Sequence, residues 1–342
     1  EIRAAPTDAA KQRLLKQHIL HAGNQIIERY PILKHQDAIG MGILLLALAG
    51  MAGTGYLYIT GVIAWYVCIP VVAFFASLTH ELEHDLIHLL YFRKNKLVQN
   101  FMMAAVWCAR PSTINPWIRR HLHFNHHKHS GTKIDMEERG ITNGEPWGLH
   151  RLIMVGDNML AIWLRLHRAP NWKLRRRMMI RSIVGYFPLG ILHWGLWYTF
   201  VLYHGSNLVM AMAGQIIHWS PAMQDFVSHF LNPLTVCLIA PNVLRTFALH
   251  FISSNMHYYG DIEDGNIVQQ CQVLNAKRFW PLQAFCFNFG STHGIHHFVV
   301  GQPFYLRQWV ASTAHPALAA AGVRFNDLGT FSRANAYQLT TS

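Results

Sequence analysis

Four apolar runs in this chain are each long enough to cross a bilayer, and nothing else in the sequence limits the fold so strictly. Lipid offers a backbone no hydrogen-bond partner, so a spanning segment must satisfy its own amides, as a helix of roughly 20 residues does. The first run covers about Ala38 to Ile59 and the second about Gly61 to Leu78. They lie almost back to back, with Gly53, Gly55, Thr60 and Gly61 offering room for a tight reversal, so a helical hairpin is expected. A third run covers about Ile183 to Tyr203 and a fourth about Phe230 to Ile252, both edged by Trp and Tyr residues that favour headgroup depth. Only 13% of the residues are charged, against about 25% in an average soluble domain. The expected fold is an all-α integral membrane protein, with four transmembrane helices in two hairpins capped by a helical cytosolic region. There is no internal repeat, low-complexity tract or long Ser/Gly linker, so residues 1–342 read as a single domain.

Two shorter apolar pieces, Leu97 to Ala109 and Leu208 to Trp219, are thirteen and twelve residues long. They are short for a crossing and suit interfacial, re-entrant or buried packing. Loops rich in Lys and Arg stay cytoplasmic. The clusters Lys11, Arg13 and Lys16, then Arg93, Lys94 and Lys96, then the run Arg165 to Arg181 all fall on one side if the first two spans go out and back. Both termini and the long polar segments are therefore expected in the cytoplasm. The net charge of +12 follows from this rule and from attraction to anionic lipid. The basic residues flank spans and do not interleave with a recognition module, so no nucleic acid partner is expected. The five cysteines form no CxxC pair, which argues against disulfides and thiolate clusters. The chain does not open on a charged-then-apolar leader with a small-residue cleavage site, and the first span is expected to act as the insertion signal.

The 23 histidines carry the chemistry. Inside a span they would be costly, yet most fall just after spans or in the polar segments. The stretch Thr79 to His88, THELEHDLIH, contains HExxH, the signature by which a helix presents two histidines to zinc beside a glutamate base. It also places His80, His84 and His88 at i, i+4 and i+8 on one helical face. The segment RRHLHFNHHKHSG holds His123, His126 and His127 as HxxHH, and STHGIHH holds His293, His296 and His297 as a second HxxHH. His257 follows the fourth run. Adjacent histidines project about 100° apart on a helix, so His126 and His127 can serve different ions, or one can serve an ion and the other a hydrogen bond. A zinc protease would use His80, His84 and Glu81 and leave both HxxHH patterns without a purpose. A metal transporter or haem protein would place its histidines within the spans. So many convergent imidazoles are too many for one four- or five-coordinate ion, which implies two. His18, His21, His35, His150, His167, His193, His204, His218, His229 and His315 read as ordinary surface or satisfied interior residues.

The order HxxxH, HxxHH, HxxHH, with His257 after the fourth run, resembles the histidine boxes of the membrane fatty-acid desaturase and hydroxylase superfamily. The likeness extends from the first hairpin to about Gln308. It implies a four-span bundle with a cytosolic cap, a centre of two iron ions held almost entirely by histidine, and dioxygen as co-substrate for oxidising a fatty acid or fatty acyl chain. Carried over box by box, the ligands are His80, His84, His123, His126, His127, His257, His293, His296 and His297. His88, Glu81, Asp85 and Asp261 are further candidates, as ligands or as groups that support them. Where acyl-CoA desaturases often have asparagine four residues before the histidine matching His257, this chain has Ser253. The segment NMHYYG is similar to that of membrane alkane hydroxylases. Desaturase-like oxidation is the expected reaction, with decarboxylation of free fatty acids to terminal alkenes, as in a desaturase-like decarboxylase branch, and hydroxylation as alternatives.

Imidazole ligands need hydrogen-bond acceptors behind them to fix each ring. Glu83, Asp135, Glu137, Glu138, Glu263 and Asp264 join Glu81, Asp85 and Asp261 as candidates by proximity to a box. The acyl chain is expected in a narrow apolar tunnel lined by the spans and by segments such as 101–107 and 279–287. Its polar end could meet Arg119, Arg120, Lys173 or Arg307. The sequence holds no HPGG-type cytochrome motif, ferredoxin-like cysteine run or dinucleotide fingerprint. Electrons are therefore expected from a separate ferredoxin, rubredoxin or cytochrome with its reductase.

Overall fold

The computed structural model describes residues 1–338, where helix follows helix and the β-bridges His257–Cys271 and Val273–Phe325 are isolated. Helix α1 runs Asp8–Arg29 and is capped by Thr7, whose hydroxyl accepts from the Ala10 amide at 3.2 Å. Helices α2, Gln36–Ile59, and α3, Trp65–Ile87, form the expected hairpin. Its reversal is shorter than anticipated. Gly53 and Gly55 stay inside α2, and the chain turns at Gly61, whose φ of +76° is one that glycine adopts without strain. Helix α3 does not stop at Leu78 but runs on to Ile87, so the second span and the first histidine box are one rigid rod.

Helix α4, Lys96–Ala109, is amphipathic. Leu97 and Phe101 are exposed, while Met102, Met103 and Val106 pack on Leu82 and Leu86 of α3. Each side chain buried this fully contributes about 1.5–3 kcal/mol, which fixes α3 in a cluster shared with Leu44 and Ala47 of α2. Helix α5, Pro116–His129, starts with a proline at its first position and Asn115 as cap. It is followed by α6, Met136–Ile141, capped by Asp135, then α7, Leu149–Gly156, and α8, Asn158–Arg165.

The third apolar run is divided. Ile183 to Tyr186 close the basic helix α9, Trp172–Tyr186, and a new helix α10 spans Leu189–Met212. Pro188 between them lacks an amide proton and its ring would clash with the preceding turn, so one helix cannot pass through it. Leu208 to Met212 extend α10, and residues 213–220 form a loop. Helix α11 is the long one, Pro221–Met256, 36 residues with π-helical stretches at Phe226–Leu231 and Thr235–Ile239. By length and composition α2, α3 and α11 are apolar enough to cross a membrane. Helix α10 has the length, 24 residues, but His193, His204, Ser206 and Asn207 make it less apolar. At 1.5 Å per residue α11 is about 54 Å long, against roughly 30 Å of hydrocarbon, so one end must stand clear of the lipid.

Two further helices complete the cap. Helix α12, Phe289–Phe298, is buried along its whole length, and α13, Phe304–Ala321, is clamped by α1 through Leu15, Ile19, Val310 and Leu318. Gly290 opens α12 against a neighbouring strand of chain so closely that a Cβ there would meet the Leu274 carbonyl oxygen at 2.6 Å. That approach sets the depth of the third box.

Candidate metal centre

Helices α3, α5 and α12 and the C-terminal end of α11 converge, and their histidines fall into two groups. His84, His88, His123, His127 and His296 have ligand atoms within 4.8 Å of one another, as do His126, His257, His293 and His297. Each HxxHH box divides its adjacent pair between the groups, His127 with His296 and His126 with His297. This is the division that a turn of 100° per residue allows.

Within the first group the Nε2 atoms of His88 and His123 are 2.9 Å apart, those of His123 and His127 3.0 Å, and those of His127 and His296 3.1 Å. In the second, His293 to His297 is 3.1 Å and His257 to His297 3.4 Å. Imidazole nitrogens bound at about 2.0–2.1 Å to one ion stand roughly 3.0–3.5 Å apart, so the spacing fits a shared metal. Buried nitrogens without a partner point the same way. Both ring nitrogens of His84 and Nε2 of His126 have none, although both residues are about 1% exposed. Leaving such groups unmet costs about 1–3 kcal/mol each, which a metal ion would offset.

The rings are held from behind. His123 Nδ1 donates to Glu137 at 2.8 Å and His126 Nδ1 to Asp135 at 2.8 Å. His257 Nδ1 donates to the Ser253 carbonyl at 2.9 Å, with Glu138 at 3.3 Å. These bonds leave a lone pair on Nε2 of all three. Asp135, Glu137 and Glu138 thus serve two different boxes from the α6 cap and first turn. Ser253, the position that departs from the acyl-CoA desaturase pattern, also sends its hydroxyl toward Glu138 at 3.5 Å. Arg307 on α13 meets His296 Nδ1 at 3.1 Å, Asp85 at 3.2 Å and Glu81 at 3.4 Å. Asp85 accepts in addition from Tyr91 and the Phe304 amide.

Burial keeps the imidazoles of His127, His293, His296 and His297 well below the usual histidine range, so they are neutral and ready to bind. Burial disfavours charge on His126 as well, but the Asp135 carboxylate outweighs it and pushes the ring up to about 9. A metal arriving there displaces a proton. Burial likewise opposes the Glu137 carboxylate, and His123 and Arg119 overcome it, holding the acid well below its usual value.

His80 lies outside both groups. Its Nδ1 is 3.5 Å from Arg110, its ring faces Phe289 and its buried Nε2 has no partner, while His84 and His88 lie together in the first group. One oxygen of Glu81 is turned to Arg307 at 3.4 Å, which engages the glutamate that the HExxH reading needs as its base. Asp261 is also elsewhere. It accepts from the Tyr337 and Gln338 amides and ties down the end of the described chain. Arg119 and Arg307, considered above for a substrate headgroup, are committed to carboxylates, and Arg120 donates to the Leu86 carbonyl. Sequence reasoning missed Arg110, which with Arg119 forms a buried ion pair on Glu83. A lone arginine just after the apolar α4 was the available signal.

Asp135→Asn keeps an oxygen for the α6 cap but weakens the bond to His126. Losing a supporting acceptor of this kind lowers metal affinity about 10–100-fold. Chelator competition followed by metal analysis should show that loss at one ion and leave the other in place.

A helical chain with apolar spans and two adjacent, buried groups of imidazoles that could each hold a metal ion points to a narrow class of protein. The family model for fatty acid desaturases matches residues 60–329, and the chain belongs to that family. No curated protein matches the chain. Membership makes it a membrane-bound oxidoreductase acting on fatty acyl chains, in a family that typically uses iron.

Proposed function

We propose that the chain is a di-iron oxidase of fatty acyl chains that uses dioxygen and takes electrons from a separate ferredoxin, rubredoxin or cytochrome. One ion would be held by His84, His88, His123, His127 and His296, the other by His126, His257, His293 and His297. The two imidazole groups, each with nitrogens about one ligand spacing apart, carry the reading. Two iron ions so held would supply the power to remove hydrogen from an unactivated C–H bond. The protein's own part is to place and tune. Asp135, Glu137 and the Ser253 carbonyl fix the tautomers of His126, His123 and His257, Arg307 keeps Glu81 and Asp85 engaged, and the buried α12 excludes water from the centre.

We place α10 as a fourth span beside α2, α3 and α11, with the histidine cap and both termini in the cytoplasm, in one domain over 1–342. The long α11 supports this, because an end that must leave the lipid carries His257. Reconstitution with ferrous iron, a reductase system and C8 to C18 free acids, acyl-CoAs and alkanes should give two irons per chain and an oxygen-dependent product. Mass spectrometry distinguishes an internal alkene, a terminal alkene and an alcohol. A single zinc, or no product from any substrate, would overturn the assignment.

A further inference from the structure

Arg245 sits within α11, 1% exposed. Of the other buried arginines, Arg110 and Arg119 are neutralised by Glu83 and Arg307 by Asp85 and Glu81, while Arg151 spends both terminal nitrogens on the Glu145 and Ser254 carbonyls and on Asn335. Arg245 has only neutral partners among the described residues. Its Nε donates to Asn242 at 3.4 Å and its Nη2 to Ser112 at 3.3 Å and Thr246 at 3.1 Å, while Nη1 has no partner. Beside it on α10 is His193, 2% exposed with neither ring nitrogen bonded, anchored by its neighbour Trp194, which donates to the Ser112 carbonyl at 3.2 Å. Glu83, whose field reaches Arg245, is bonded to Arg110 and Arg119 and makes no direct bond to Arg245.

A guanidinium is always charged and presents paired N–H groups that match a carboxylate in shape. Held in an apolar bundle without a counter-ion, it selects for an anion that can reach it through lipid. A long-chain free acid meets both demands, with one charge and an apolar tail. A thioester or ester of the same chain is neutral at that end. The site lies toward the metal centre, because Ser112, which accepts from Arg245, follows two residues after Arg110, and Arg110 meets His80 Nδ1 at 3.5 Å, one turn before His84.

We propose that Arg245, with Ser112, Thr246 and His193, binds the carboxylate of a free fatty acid. The inference takes its substrate class from the acyl oxidation proposed above, and the test reads binding without turnover so that the two can fail separately. Full-length protein in nanodiscs is titrated with dodecanoic acid and methyl dodecanoate, each displacing a radiolabelled C12 acid. The acid should bind at least tenfold more tightly than the ester. Arg245→Gln should weaken the acid at least tenfold with little effect on the ester, Arg245→Lys should recover part of the loss, and both should keep wild-type iron content. Equal affinities for acid and ester, or unchanged acid binding in R245Q, would overturn the site. Should R245Q fail to fold, Thr246→Val decides, with a three- to tenfold loss for the acid alone expected and no change counting against the proposal. Acid-selective binding in a protein that forms no oxidised product would sustain this site and remove the oxidation reading. Normal product with acid binding indifferent to position 245 would do the reverse.

Discussion

His88→Ala should leave close to one iron per chain and reduce turnover by more than about 100-fold, beyond the range for losing a supporting group. His80→Ala should keep both ions. The contrast follows from helical geometry. Four residues advance a helix by 400°, so each step along His80, His84 and His88 rotates the imidazole by about 40°. Three residues so spaced spread over about 80°, and only two consecutive ones can meet the same point. Helices α5 and α12 cross at the later pair, with His88 Nε2 2.9 Å from His123 and the His84 ring 4.2 Å from that of His296. His80 is left facing Arg110. Metal analysis of the two purified variants, with turnover measured on the same samples, checks the prediction. Loss of iron in H80A with a normal H88A would restore the HExxH pair.

That outcome also marks where sequence reading stops. The spacing within a box states which rings share a face, so all three boxes, and the fact that His126 and His127 point different ways, could be read directly. The choice between His80 and His88 depends on where another helix crosses, which spacing does not encode. The supporting acids behave likewise. Nine carboxylates lie near a box in sequence, but Asp135, Glu137 and Glu138 are the ones behind His123, His126 and His257 because the chain folds back through Gly131, whose amide bonds Asp135. Asp261 is equally near in sequence and faces the far end of the chain. The apolar runs predicted helices well, since lipid leaves few alternatives. The continuation of α3 into the first box was expected, while the boundaries were misplaced where a rod extends beyond the apolar stretch at both ends, as α11 does, or where Pro188 interrupts it.

Glu83→Ala should be the most destabilising single change around the centre. Its carboxylate is 0% exposed and neutralises Arg110, also 0% exposed, together with Arg119 at 2.7 Å. Breaking a buried pair by removing one partner costs about 3–5 kcal/mol, because the remaining charge is stranded. Here Arg110 loses its carboxylate and Arg119 is left with Glu137 alone. The damage should also travel, since Arg119 holds Glu137 at 3.2 Å and Glu137 holds His123 at 2.8 Å. Iron should therefore fall first at the group containing His123, with the group around His257 less affected. The double variant Glu83→Gln, Arg110→Met separates the two consequences. It removes one buried charge of each sign, so the melting temperature in detergent should recover most of the loss seen in E83A, a coupling expected of residues in direct contact. Arg119 would still lack its carboxylate partner on α3, and iron at the His123 group should stay low. Full recovery of both would make the ion-pair chain a stability element alone. Recovery of the melting temperature without the iron would show that it positions His123 for the metal.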